Sequence, residues 1–261
     1  MSPRTFPSPR PLVAVVHLPP SLGYPAFPGT TAALDLVRRD MDALRAGGVD
    51  GVLLENDADK PHTILVSKAQ VAWITLACRA ARDAVDVPVG VGVQRMDVEA
   101  TLAVAAAAEL ELVRLDVFVD TVIMQGEEVR GDPRFVRDLR AKLGASAVEL
   151  WTDVHVKHAE LTGTESIADA AERAATEGSA AVLVSGTRTG EPPSLDDLRA
   201  VREEIGARTR VVIGSGLTPE NADSLARVAD AAVVGTCLKT GDRVDAEKVK
   251  RMVDAWRRAC G

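Results

Sequence analysis

The stretch DVHVKHAEL, residues 153–161, decides how the chain is read. Side chains of a β-strand alternate, so Asp153, His155 and Lys157 share one face while Val154 and Val156 share the other. An acid, an imidazole and an amine in successive positions are more chemistry than one half-exposed strand needs. Where that face points depends on the strands around it.

Seven other short apolar runs accompany the strand VELWTDVHV (148–156): LVAVVHL (12–18), GVLLEND (51–57), VPVGVGVQR (87–95), LVRLDVF (112–118), AAVLVSG (180–186), RVVIGSG (210–216) and DAAVVGT (230–236). Between them the apolar spacing is that of amphipathic helices, as in residues 31–48, 98–110, 166–178 and 194–206. Gly47, Gly48, Gly178 and Gly206 stand where helices end. Eight strands alternating with helices over about 250 residues is the count of an α/β chain folded as a single (β/α)8 TIM barrel. A doubly wound open sheet is the alternative, but the first strand lacks the glycine-rich turn that such sheets use for dinucleotides. The valines then face the helices, and Asp153, His155 and Lys157 line the lumen near the C-terminal end, where barrels carry their sites. Residues 12–261 are expected to form the barrel, and the proline-rich residues 1–11 a flexible arm.

Composition narrows the function. The chain has 261 residues, 46% hydrophobic and 26% charged, with a net charge of −7. That balance disfavours nucleic-acid binding, which needs clustered Lys and Arg. No apolar run approaches the ~20 residues of a membrane-spanning helix, and the N-terminus lacks a signal-peptide core. Three cysteines without CxxC spacing fit a reduced, cytoplasmic protein. A homo-oligomer is expected only because many soluble proteins form one.

The other strand ends repeat the pattern of the first. They offer His17, then Glu55, Asn56 and Asp57, then Gln94 and Arg95, then Arg114 and Asp116. Packed interiors do not collect charges without a reason. Asp153, His155, Lys157, Asp116 and Glu55 are the candidate catalytic residues. His17, Asn56, Gln94, Arg95 and Arg114, with Gln125 and Thr187 from the loops, are candidates for substrate binding. The loops IGSGLTPENA (213–222) and VVGTCLK (233–239) read as a phosphate site built from Gly214, Ser215, Gly216, Gly235, Thr236 and Lys239. Thr218 is expected to cap the following helix and Pro219 to begin it. The proline-rich residues 19–30 suit a lid over the mouth.

These strings resemble the BtpA/SgcQ family in order and content. The carriers are VVHLPPSLGYP, GGVDGVLLEND, RLDVF followed by MQG, TDVHVKHA, SGTRTGEP, IGSGLTPENA and AVVGTCLK, spread over roughly residues 12–240. The resemblance implies a barrel related to the ribulose-phosphate-binding barrels. In one branch of the family it implies a part in photosystem I accumulation. The family generally has Asn where Gly92 and Asp116 stand and Asp where Met124 stands, so a divergent substrate is expected.

Three functions compete. The first is an enzyme acting by acid/base chemistry on a phosphorylated sugar, a nucleotide or a nucleoside-type substrate, as an isomerase, an epimerase, or a lyase or glycosidase cleaving a glycosidic bond. Lys157 either pairs with a substrate anion or forms a Schiff base. The second is metal-assisted hydrolysis through Glu55, Asp116, Asp153, His155 and His158, although no HxH or HExxH spacing supports it and no metal or cofactor is expected. The third is a non-catalytic assembly or regulatory factor.

Overall fold

The computed structural model describes residues 4–261. Among them the barrel strands are β1 (Leu12–His17), β2 (Gly51–Glu55), β3 (Val89–Gly92), β4 (Leu112–Leu115), β5 (Glu149–Val154), β6 (Ala181–Val184), β7 (Arg210–Ile213) and β8 (Ala231–Val234). Each pairs in parallel with the next, and β8 returns to β1 through Leu12 opposite Ala232, which closes the barrel. The helices are α1 (Thr30–Gly47), α2 (Lys68–Ala84), α3 (Val98–Ala107), α4 (Pro133–Lys142), α5 (Ile167–Thr176), α6 (Leu195–Ile205), α7 (Ala222–Leu225) and α8 (Ala246–Cys260). No helix among the described residues is long and apolar enough to cross a membrane.

Alternation divides the core into two shells. Leu12, Ala14, Val16, Val182, Val184 and their equivalents face outward into the layer shared with the helices. Val13, Val15, Leu53, Leu112, Trp151, Leu183, Val212 and Val233 fill the lumen. One step further along the inward face the filling turns ionic, at Glu55, Arg114 and Asp153. Polar side chains start most of the helices: Ser67, Asp97, Asp132, Ser166, Ser194 and Asp245 each accept a backbone N–H from the first turn.

Three expectations need correction. Residues 4–11 are docked beneath the barrel. Arg4 Nη1 donates to the carbonyl of Arg82 at 2.9 Å, the Phe6 ring lies 5.6 Å from that of Trp151, and Trp256 Nε1 donates to the Arg10 carbonyl at 2.9 Å. An aromatic side chain that closes the lower mouth outweighs the freedom of a proline-rich arm; Met1–Pro3 lie outside the described residues. The helix after β7 begins at Ala222 and has four residues, because the Asn221 side chain holds the Thr218 N–H at 2.8 Å in a preceding turn. Finally, the segment beyond β4 is not a plain loop. Thr121–Met124 and Glu127–Arg130 form a hairpin that Glu160–Leu161 extends to three strands, over a small core of Val117, Val122, Met124 and Val156.

Candidate active site

A cavity of about 520 Å³ opens at the C-terminal end of the strands. Its floor rests on Arg114, each of whose three nitrogens donates to a carboxylate. Nε and Nη2 meet the two carboxylate oxygens of Asp153 at 2.8 Å each, and Nη1 donates to Glu55 at 3.2 Å. Asp153 is fully buried and also accepts from Ser185 Oγ at 3.2 Å. Burial opposes the charge on the guanidinium, but Asp153, Glu55 and Asp116 raise its pKa well above the ordinary value. Glu55 accepts a second bond from Gln94 Nε2 at 3.1 Å.

Asp116 sits above this cluster, 3.8 Å from Arg114, with 18% of its side chain exposed. Burial pushes its carboxyl up to about 7; Arg114 pulls it down, while the neighbouring Asp153 and Glu55 carboxylates add to the rise. Lys157 faces the same space, and burial with the nearby Arg114 charge holds its ammonium below the usual lysine value.

The wall above β1 and β2 carries His17, Asp57, Lys60 and His62. Asp57 lies 3.6 Å from His17 Nδ1, 3.3 Å from Lys60 Nζ and 3.7 Å from His62 Nε2. Burial would raise its carboxyl, but His17 and Lys60 hold it below the usual range. The opposite wall carries His158, whose Nε2 is 3.0 Å from Thr189 Oγ1. The rim after β7 and β8 is formed by Gly214–Thr218 and Gly235–Cys237. Gly216 has φ +69, and a Cβ there would overlap the Glu191–Pro192 backbone of the loop after β6. This packing turns the chain so that the Gly216 and Leu217 N–H groups have no acceptor among the described residues.

Of the residues singled out from the sequence, His17, Glu55, Asp57, Gln94, Arg95, Arg114, Asp116, Lys157, His158, Gly214, Ser215, Gly216, Thr218, Gly235 and Thr236 line this one cavity. Asp153, His155, Asn56, Gln125, Thr187 and Lys239 do not. His155 leaves the strand with φ +50, its N–H bound to Asp120 Oδ2 at 2.8 Å, so the alternation that would have sent its ring inward ends at Val154. Asp153 lies beneath the floor with both oxygens committed. Asn56 is buried and bonds the Gln94 backbone on both sides, holding a loop in place. Gln125 reaches the His62 carbonyl at 3.2 Å, and Thr187 bonds Glu191. Lys239 falls outside the lining. Ser215 contributes backbone but not a free hydroxyl, since Oγ donates to the Glu191 carbonyl and accepts from the Gly186 N–H. The donors named for a metal are not assembled either, with Asp153 locked to Arg114 and His155 turned away. Sequence reasoning missed Lys60 and His62. They follow strand 2 in a loop whose fold no periodicity reports, and the DADKPH charge run was the available signal.

A family model described as the BtpA family matches residues 8–258. The chain belongs to the BtpA family. An uncharacterized protein of Archaeoglobus fulgidus is 34% identical over 246 residues, 94% of this chain and 97% of that protein. The photosystem I biogenesis protein BtpA of Synechocystis is 31% identical, over 97% of this chain and 90% of its own length. Among solved structures, thiamine phosphate pyrophosphorylase from Pyrococcus furiosus has a TM-score of 0.63 at 14% identity, covering 97% of this chain and 98% of that one. At that identity the likeness is one of fold. Of the three positions where this BtpA-family chain was expected to diverge, Asp116 lines the cavity. Gly92 lies below it, where a Cβ would sit 3.5 Å from Arg114 Cβ, and Met124 is buried under the hairpin.

Proposed function

We propose that the cavity binds a phosphorylated sugar or nucleoside-type substrate and converts it by proton transfer, as an isomerase or epimerase does. The observation that carries this reading is a juxtaposition within one cavity. Unpaired amides at Gly216 and Leu217 stand on the rim, and the Asp116 carboxyl, pushed up to about 7, stands on the floor. Backbone N–H groups on glycine turns are suited to phosphate oxygens, and the loops after the seventh and eighth strands are where barrels commonly hold them. The Thr236 hydroxyl has no partner among the described residues and adds a donor.

A phosphate anchored there directs the rest of the molecule to the floor. A carboxyl near pH 7 can both give and take a proton in neutral solution, which is what general acid/base catalysis needs. Asp116 donates to a substrate carbonyl oxygen and recovers the proton later. Arg95 and Lys157 stand ready to balance the negative charge that builds on that oxygen. Arg114 makes no contact with substrate in this scheme; it holds Glu55 and Asp153 in place beneath Asp116.

Incubating the protein with ribose 5-phosphate or ribulose 5-phosphate in D2O, followed by proton NMR, tests the reading. Deuterium is expected at the carbon beside the carbonyl, at a rate that falls roughly 10²-fold or more in Asp116→Asn. Absence of exchange across phosphorylated pentoses, hexoses and nucleotides contradicts it.

A further inference from the structure

The four lysines and arginines that line the cavity are of two kinds. Lys60 is paired with Asp57 at 3.3 Å, and Arg114 with Asp153 and Glu55 at 2.8 and 3.2 Å. The Arg95 guanidinium and the Lys157 ammonium, both partly buried, have neither an ion pair nor a hydrogen-bond acceptor among the described residues. The carboxyls of the cavity are engaged elsewhere: Glu55 with Arg114 and Gln94, Asp57 with Lys60, and Asp116 with Arg114 at 3.8 Å. His158 stands with the two free cations. Its Nε2 is held by Thr189 Oγ1 at 3.0 Å, and its Nδ1 has no partner among the described residues. Burial, then the Arg95 and Lys157 charges, hold the His158 ring below the ordinary histidine value, so the three basic groups share one region of the cavity. Cations gathered away from water repel one another and lose hydration until an anion joins them.

We propose that Arg95, Lys157 and His158 form a second anion subsite, and that the substrate is a sugar with an anionic group at each end: a sugar bisphosphate or a phosphorylated sugar acid. This rests on the phosphate reading above and names the substrate class of that same site. The ring of strands separates the two subsites. Arg95 follows β3, which stands four places from β7 among the eight strands, so it lies across the mouth from the Gly216 and Leu217 amides. Lys157 and His158 follow β5, midway between them. A phosphate on the rim therefore leaves the far donors for another group.

The pairing of an arginine with a lysine suits an oxyanion. The guanidinium offers a planar fork to two oxygens and the ammonium a compact point charge. Both cations also stand near the acid/base group. Burial is the chief cause of the raised Asp116 carboxyl, and Arg95 is among the charges that oppose it. Burial likewise lowers the Lys157 ammonium, and Asp116 is among the charges that oppose that. A carbonyl next to the second anion thus meets Asp116 and these two cations together, while the far phosphate keeps the sugar stretched between rim and subsite.

Calorimetric titration at fixed ionic strength with ribulose 5-phosphate, ribulose 1,5-bisphosphate and ribonate 5-phosphate reads the second charge. At least one of the two doubly anionic probes is expected to bind roughly tenfold or more tighter than ribulose 5-phosphate. Which of them does so tells phosphate from carboxylate. Arg95→Met and Lys157→Met are each expected to remove most of that advantage. Equal affinity for all three probes, or an advantage that survives both substitutions, overturns the proposal. NMR with the bisphosphate separates the two subsites, through the Gly216 and Leu217 amides on one side and the Arg95 Nε–H and Lys157 Cε–H signals on the other. Shifts at both are expected. Shifts at the amides alone overturn the second subsite while the phosphate reading stands; shifts at Arg95 and Lys157 alone uphold the subsite and sink the rim. Shifts at neither overturn both.

Discussion

Arg114 and Asp116 are two residues apart on the same inward face, and their surroundings divide the labour between them. Arg114 commits each of its three nitrogens to Asp153 or Glu55. Arg114→Met therefore leaves the fully buried Asp153 carboxylate without its partner, and the free energy of unfolding in urea is expected to drop by about 3–5 kcal/mol. Arg114→Met combined with Asp153→Leu should recover only part of that loss, because the Asp153 charge is then gone while the buried Glu55 still lacks its Arg114 partner. Asp116 behaves oppositely. Its folded value is raised, so its favourable contribution is complete below the ordinary carboxylate pKa and is lost as pH climbs through about 7. The stability of Asp116→Asn relative to wild type should thus increase between pH 4 and pH 8, by up to about 4 kcal/mol. Denaturant midpoints across that range check it.

Much of this cluster was legible because strand alternation is a two-residue rule: it joined Arg114 to Asp116 and pointed both inward. The same rule misplaced His155. It holds only while the chain stays extended, and here the Asp120 carboxylate captures the His155 N–H and turns the backbone left-handed. Val156, Lys157 and His158 then all reach the cavity, which no alternating strand allows.

At the scale of elements, the loops above β6, β7 and β8 act as one assembly. Gly216 sits against the Glu191–Pro192 backbone with a positive φ that L side chains avoid. Gly216→Ala should cost about 1–3 kcal/mol in backbone strain, lowering the melting temperature by several degrees at roughly 2–4 °C per kcal/mol. It should weaken binding of phosphorylated ligands more than that loss of stability explains, since the Gly216 and Leu217 amides move with the turn. The glycines were readable as a close approach; their partner was not, because the Glu191–Pro192 backbone is 24 or more residues away in sequence. The hairpin Thr121–Arg130 escaped notice for a related reason. Its strands are four residues each, and half of its packing comes from Val117 and Val156, outside the hairpin itself.

For the whole molecule, a net charge of −7 is compatible with the anion site proposed above. Charge is counted over the surface, whereas recognition depends on the few donors that converge at one mouth. Alternating strands and helices made the barrel readable. The docking of residues 4–11 was not readable, because one Phe6 among prolines gives no period to detect.

The most direct measurement is a thermal-shift comparison of matched pairs: ribose 5-phosphate against ribose, and a nucleoside monophosphate against its nucleoside. A ligand at 100 times its Kd adds about 2.7 kcal/mol, which is several degrees for a domain of this size. Stabilisation is predicted for at least one phosphorylated member and for neither bare partner. Equal shifts within both pairs, or no shift in any of the four, would contradict the account.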